Sequence, residues 1–270
     1  MTNFEMTLNS GHKMPMLGLG TWTHSDSTAV QTVYDAIKVG YRHIDTAQYY
    51  GNERGVGRAV NKAIADGLIT RDEIFITTKI IPRGRYEYDR AIEQSLNALA
   101  LDYIDLMLVH QSGAGEIDLY HAMERGVQNK KIRSIGISNY YTPTEFERIN
   151  RAANITPAVV QNENHPFYQN TNLQRYLERY GTAIASWYPF GGRGNIKEIL
   201  GNKIIVELAS EHGKSPAQIV IRWHIQAGYA ALPGTVRHIA EDFDVFDFEL
   251  STEEMQSIAK LDRQRRYESF

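Results

Sequence analysis

Eight short apolar runs recur along the 270-residue chain, at 17–20, 42–45, 74–78, 104–109, 134–138, 159–163, 183–187 and 229–232. Most are rich in β-branched or aliphatic residues and bounded by polar ones, the pattern of a strand buried on both faces. Between them the apolar residues take helical spacing, at 28–39, 52–65, 88–99, 118–129, 144–153, 173–180 and 215–226. Strands that alternate with helices pair in parallel, because each helix returns the chain to the same edge through a right-handed crossover. Eight such units are the number that closes a barrel. The sequence therefore predicts an α/β fold, a (β/α)8 TIM barrel.

Local signals refine this outline. Ser215-Pro216 places a capping serine before a proline whose missing N–H costs nothing at the first helical position. Ser251-Thr252-Glu253-Glu254 has capping-box spacing ahead of Met255, Ile258 and Leu261, which predicts a C-terminal helix. The segments 5–8 and 13–16, separated by Asn9-Ser10-Gly11-His12, predict an N-terminal β-hairpin placed to plug the bottom of the barrel. No Pro-, Gly- or Ser-rich linker divides the chain, so residues 1–270 are read as a single barrel domain.

Composition excludes several classes of function. Hydrophobic residues at 42% and charged residues at 23% suit a folded globular chain rather than a disordered one. The net charge of −3, with basic residues interspersed among acidic ones, argues against a nucleic-acid partner. With no cysteine, neither disulfides nor thiolate chemistry is available. The histidines lack metal-ligand spacing, so no metal is expected. The amino terminus lacks an export signal, and no stretch approaches the roughly 20 apolar residues of a membrane span. These features are read as a cytoplasmic protein without membrane contact, acting as a monomer.

Chemistry is expected at the carboxyl ends of the strands, where barrels place their sites. Asp45, Lys79 and His110 each end one of the apolar runs, and Tyr50 follows Asp45 by five residues. A phenol with an ordinary pKa of about 10 is a weak acid unless its anion is stabilised. A nearby ammonium does that, provided a carboxylate keeps the ammonium charged when buried. A general acid so placed contributes roughly 10²- to 10⁴-fold in rate. A buried Lys–Asp pair alone would read as structural, but four convergent groups from three strand ends favour catalysis.

The run Asp45-Thr46-Ala47-Gln48-Tyr49-Tyr50-Gly51-Asn52-Glu53 resembles the signature of the aldo-keto reductases. Gly18-Leu19-Gly20-Thr21-Trp22, Thr78-Lys79, Leu108-Val109-His110, Gly136-Ile137-Ser138-Asn139 and Glu163-Asn164-His165-Pro166 extend the resemblance over essentially the whole chain. It implies a catalytic tetrad of Asp45, Tyr50, Lys79 and His110. Tyr50 would be the acid for carbonyl reduction, with its pKa lowered by Lys79, Asp45 paired to Lys79, and His110 positioning the carbonyl. The cofactor implied is a nicotinamide dinucleotide bound without a Rossmann domain, and Gly18-x-Gly20 indeed lacks the third glycine of that fingerprint.

The same resemblance distributes cofactor contacts over Gly20, Thr21 and Trp22. It places Ser138, Asn139 and Gln161 on the carboxamide, and Trp187 where relatives often stack a tyrosine on the ring. Pro189, Phe190 and Gly191 would follow in the next loop. Leu232, Pro233, Gly234, Thr235, Arg237, His238, Glu241 and Asp242 would surround the adenosine. Here the chain departs from the pattern, since Gly234 stands where NADPH-preferring relatives usually have lysine. NADPH is the expected cofactor, with NADH also admitted for that reason; Arg237 is the candidate replacement cation, and Gly191-Gly192-Arg193-Gly194 would bring backbone N–H groups to the pyrophosphate with Arg193 adding charge.

On the substrate side Trp22, Tyr49, Ile81, His110 and Gln111 would line the pocket, with Ile81 and Gln111 replacing the tryptophans of many relatives. The segment 111–115 is short and the chain ends nine residues after Leu261. An open site for a small or polar aldehyde or ketone is expected as the small-molecule partner. Two other readings stand beside this one: a Schiff-base aldolase using Lys79, and a dinucleotide-binding regulatory barrel with little turnover.

Overall fold

The computed structural model describes residues 4–84 and 86–268. The chain opens with a hairpin, β1 (Glu5–Thr7) and β2 (Lys13–Pro15), in which Met6 faces Met14. Eight parallel strands follow: β3 (Leu19–Gly20), β4 (His43–Asp45), β5 (Phe75–Ile80), β6 (Ile104–Val109), β7 (Ile132–Ser138), β8 (Val159–Glu163), β9 (Ala183–Trp187) and β10 (Tyr229–Leu232). Each pairs with its neighbour in chain order. The ring closes between the last and the first, where Leu17 bridges Ala231 and the N–H groups of Gly18 and Gly20 donate to the carbonyls of Ala231 and Pro233, both at 2.9 Å. A Cβ at Gly20 would meet the Leu232 carbonyl at 3.0 Å, so glycine permits this close seam.

The helices are α1 (Asp26–Val39), α2 (Glu53–Ala65), α3 (Tyr88–Leu99), α4 (Glu116–Gln128), α5 (Pro143–Asn150), α6 (Thr171–Leu177), α7 (Ile196–Leu200), α8 (Lys203–His212), α9 (Pro216–Gln226), α10 (Ile239–Phe243) and α11 (Thr252–Ala259). Capping boxes from Thr142, Ser215 and Ser251 start α5, α9 and α11. The predicted barrel, hairpin and C-terminal helix are present. Helices α7, α8 and α10 are additions to the predicted set. In α8 the run Ile204-Ile205-Val206 resembles a strand, while its helical period shows only in the buried set Ile205, Leu208 and Ala209. The adjacent β-branched residues hide the spacing.

Strand geometry decides which residues reach the interior, because successive side chains point to opposite faces. On β6, Leu106 and Leu108 join the inner cluster with Phe75, Val159, Ala185, Ala230 and Leu232, whereas Met107 and Val109 face the helices. Leu8 and Met14 belong to the inner cluster, so the hairpin plugs the barrel as predicted. The same alternation carries polar residues inward above this apolar floor. His43 and Asp45 on β4, Thr77 and Lys79 on β5, Gln161 and Glu163 on β8, and His110 just beyond Leu108 all fall on interior positions.

Candidate active site

Tyr50 sits on a single 3₁₀ turn, Gln48–Tyr50, ended by Gly51 in the left-handed conformation at φ +69°. This loop is pinned from below. The fully buried Asn52 amide donates to the Thr21 and His24 carbonyls at 2.8 and 3.0 Å and accepts from Thr46 Oγ1 at 2.7 Å. Tyr50 is thereby held over the end of β5, where Lys79 emerges.

All three ammonium hydrogens of Lys79 find acceptors: Asp45 Oδ1 at 2.6 Å, the Thr46 carbonyl at 2.9 Å and the Tyr50 hydroxyl at 3.2 Å. Lys79 is 1% exposed and Asp45 4%. Burial opposes the lysine's charge, but Asp45 and then Tyr50 outweigh it and raise its pKa, so Lys79 is a cation at neutral pH. Burial raises the Tyr50 pKa, with Lys79 the leading opposing influence. This corrects the expectation of a phenol acidified outright: here Lys79 limits a rise rather than producing a fall.

The His110 ring lies 5.6 Å from that of Tyr50, edge to face. Burial, aided by the Lys79 charge, lowers its pKa to about 3, so the imidazole is neutral across the physiological range. Its Nδ1 is buried without a hydrogen-bond partner among the described residues. Trp22 lies 4.8 Å from Tyr50 and stacks on Tyr49 at 5.9 Å, giving the mouth an aromatic wall.

Ser138 and Asn139 lie at the end of β7, beside Gln161 on β8. The Gln161 amide donates to the second carboxylate oxygen of Asp45 at 2.7 Å. Asn139 occupies a left-handed conformation at φ +64°, donating from Nδ2 to the His110 carbonyl at 2.8 Å. Its Oδ1 accepts from the Trp187 indole N–H at 3.2 Å and the Tyr141 hydroxyl at 3.1 Å. Trp187 thus joins the cluster from the end of β9, with Pro189, Phe190 and Gly191 in the loop that follows.

Leu232 to Thr235 run past Gly20, and Thr21 turns inward to donate from its hydroxyl to the Asp45 carbonyl at 2.9 Å. His238 and Glu241 pair at 2.8 Å, while burial pushes the Asp242 carboxyl up to about 7. Neither Arg193 nor Arg237 forms an ion pair with any described residue. Ile81 lines a cavity of about 550 Å³ with Gln48, Arg54 and Arg83, outside the tetrad, and Gln111 is half-buried.

Three contributors escape sequence reading. Tyr141 holds the Asn139 amide, and the Tyr188 ring packs edge to face against Trp187 at 4.9 Å. Glu163, fully buried, accepts the N–H groups of Tyr267 and Glu268 at 2.6 and 3.0 Å and strings the C-terminal tail across the barrel mouth. Only the adjacency of Tyr188 to Trp187 offers a signal.

A cationic lysine on a tyrosine, a neutral histidine beside it and a polar shelf at the next two strand ends define an oxidoreductase-type site on a (β/α)8 scaffold. The model of the Aldo/keto reductase family matches residues 16–263, and the chain belongs to that family. It is an NAD(P)H-dependent oxidoreductase acting on carbonyl groups. It is 40% identical over 266 residues to a methylglyoxal reductase DkgA of Yersinia pestis, covering 96% of this chain and 93% of that one. It is 39% identical over 267 residues to a 9,11-endoperoxide prostaglandin H2 reductase of Trypanosoma cruzi, covering 97% and 92%. A solved Bombyx mori aldo-keto reductase in complex with NADP superposes with a TM-score of 0.90 at 32% identity, covering 98% and 95%. Among the described residues no helix is long and apolar enough to cross a membrane, and no group of acidic or histidine residues could hold a metal.

Proposed function

We propose that Tyr50 is the proton donor of carbonyl reduction, with Lys79, Asp45 and His110 completing the catalytic set. The observation that carries this is the Lys79 ammonium, saturated by three acceptors of which one is the Tyr50 hydroxyl. When bound, the nicotinamide supplies the hydride that reduces the carbonyl carbon. The phenol gives its proton to the carbonyl oxygen, and the phenolate left in a buried site is stabilised by the adjacent ammonium. Asp45 keeps that ammonium charged. His110, with its pKa held at about 3, acts as a neutral hydrogen-bond donor to the carbonyl oxygen rather than as an acid.

The residues present fit the cofactor. Gln161 Oε1 and the Ser138 hydroxyl hydrogen have no partner among the described residues, although both side chains are 1% exposed. A primary amide supplies the complementary groups. Trp187 would stack on the ring, and the Gly191-Gly192 backbone, at φ +76° and +70°, would approach the phosphates with Arg193 beside it. NADPH is the proposed cofactor, with Arg237 near the 2′-phosphate and NADH used as well because Gly234 offers no cation.

The Trp22–Tyr49 wall and the half-buried Gln111 suit a small or polar aldehyde or ketone. The methylglyoxal reductase relative supports that class. The test is loss of nicotinamide absorbance with a panel of aldehydes and ketones. Small aldehydes are expected to have the highest kcat/KM, and no turnover of any carbonyl by either dinucleotide would end the proposal.

A further inference from the structure

We propose that the cleft between the start of α2, the second half of α3 and the loop after β5 is a second ligand site, separate from the tetrad, which binds the phosphate monoester of a small polyol. The cleft is the cavity of about 550 Å³ into which Arg54 and Arg83 project, and no member of the tetrad lines it. Its size is that of a site for a small organic molecule rather than for a bare ion.

The charge of the lining is one-sided. Neither the Arg54 nor the Arg83 guanidinium forms a salt bridge or a side-chain hydrogen bond with any described residue. Arg54 stands second in α2, where the free N–H groups of the first turn already make the helix end positive, so a cation there is unfavourable unless an anion offsets it. Arg58, one turn on, has such a partner in Asp26. Arg54 has none. The single acid in the lining is Glu53, and its carboxylate is turned into the protein, where it accepts from the buried Thr78 hydroxyl at 2.6 Å. Arg83 lies over the Tyr86 ring at 5.9 Å. Two guanidiniums without a carboxylate between them match a dianionic phosphate, whose oxygens accept their forked N–H groups.

The remainder of the lining selects what the phosphate is attached to. The Gln94 and Asn97 side-chain amides also face the cleft, and neither has a hydrogen-bond partner among the described residues. Each amide both donates and accepts, which is what a hydroxyl requires. Gln48 forms another wall, its amide donating to the Ala91 carbonyl of α3 at 2.7 Å. Ile80 and Ile81 supply an apolar floor for a short carbon chain. Gln48 begins the turn that ends at Tyr50, so the new site backs onto the catalytic turn without sharing its residues.

The test is calorimetric titration of the whole protein with glycerol 3-phosphate, which has no carbonyl to reduce. Saturating NADPH is present throughout, so that the phosphate subsites of the dinucleotide are already filled. The expected dissociation constant is below about 1 mM, and Arg54→Gln and Arg83→Gln should each raise it by about tenfold, the value of one charge-assisted hydrogen bond. Both side chains are exposed and unpaired, so neither variant should disturb folding. Arg58→Gln, which removes the same charge one turn away, should leave the constant unchanged, and glycerol should show no saturable binding. Absence of saturable binding of glycerol 3-phosphate overturns the proposal. So does a dissociation constant that either Arg54→Gln or Arg83→Gln leaves unchanged, or that Arg58→Gln raises equally. None of these results bears on the carbonyl-reduction reading, which turnover tests separately.

Discussion

Replacing Lys79 by methionine removes one charge of a pair that is almost wholly shielded from solvent, at 1% and 5% side-chain exposure. The Asp45 carboxylate would keep the Gln161 amide as a donor but lose the Lys79 ammonium from Oδ1, and the Thr46 carbonyl would lose a donor as well. Removing one member of a buried pair costs about 3–5 kcal/mol, because an uncompensated charge remains inside. For a chain of this size that corresponds to a fall in Tm of roughly 10 °C. Converting Asp45 to asparagine in the Lys79→Met background removes the stranded charge and should recover about half the loss. Urea denaturation followed by circular dichroism gives the free energies of the wild type, both single variants and the double variant, and this four-member cycle gives the coupling. In the same variant the Tyr50 phenolate loses its stabilising cation, so carbonyl reduction should fall by about 10²- to 10⁴-fold. If Lys79→Met costs under about 1 kcal/mol, the pair is not the buried, saturated unit described above. If it also retains full turnover, Lys79 is not what assists Tyr50.

Further outcomes follow from the titrating groups and the cofactor end. Burial lifts the Tyr50 phenol above its ordinary 10, so kcat/KM for reduction should stay level through pH 6–9; His110, at about 3, adds no acidic limb there, and an apparent pKa near 7 would contradict both assignments. His43 and His224, which burial holds near 4, stay neutral in the fold while the unfolded chain takes up protons near 6.5, so stability measured by denaturant titration should drop as pH falls from 6.5 to 4. Asp242 works in the opposite sense: the unfolded carboxyl ionises near 3.8 and the folded one near 7, so the penalty appears as pH rises between those values. Asp242→Asn should therefore stabilise the protein at pH 8 by at most about 4 kcal/mol and barely at pH 4; equal effects at both would refute this. A Cβ at Gly234 meets only the Gly20 carbonyl, at 3.5 Å, so Gly234→Lys fits and should raise the preference for NADPH over NADH by roughly ten- to a hundredfold. An unchanged ratio of dissociation constants would place the 2′-phosphate elsewhere.

The barrel is legible because its signal is periodic and repeated. Eight apolar runs coincide with the eight observed strands, and alternation along them is enough to send Asp45, Lys79, Gln161 and His110 inward. Helix α8 is hidden by Ile204-Ile205-Val206, where composition imitates a strand. The hydrogen bonds between Gln161 and Asp45 and from Tyr141 and Trp187 to Asn139 link groups that only the curvature of the sheet brings together. The seat of the tail on Glu163 joins residues more than 100 positions apart and has no local signature. The direction of the Tyr50 pKa shift is misread from sequence for a related reason. Spacing reveals the neighbouring ammonium, whereas the burial that outweighs it depends on the closed barrel.

The central claim is that Tyr50 donates the proton in a nicotinamide-dependent carbonyl reduction. Tyr50→Phe removes the hydroxyl while keeping the ring that packs 4.8 Å from Trp22 and 5.6 Å from His110. The most direct measurement is the single-turnover rate of this variant with whichever small aldehyde the wild type reduces best, alongside its dissociation constant for NADPH. The expected result is a rate lowered by at least about 10²-fold with cofactor affinity essentially unchanged. A rate within tenfold of the wild type, with the cofactor bound, would show that the proton comes from another group.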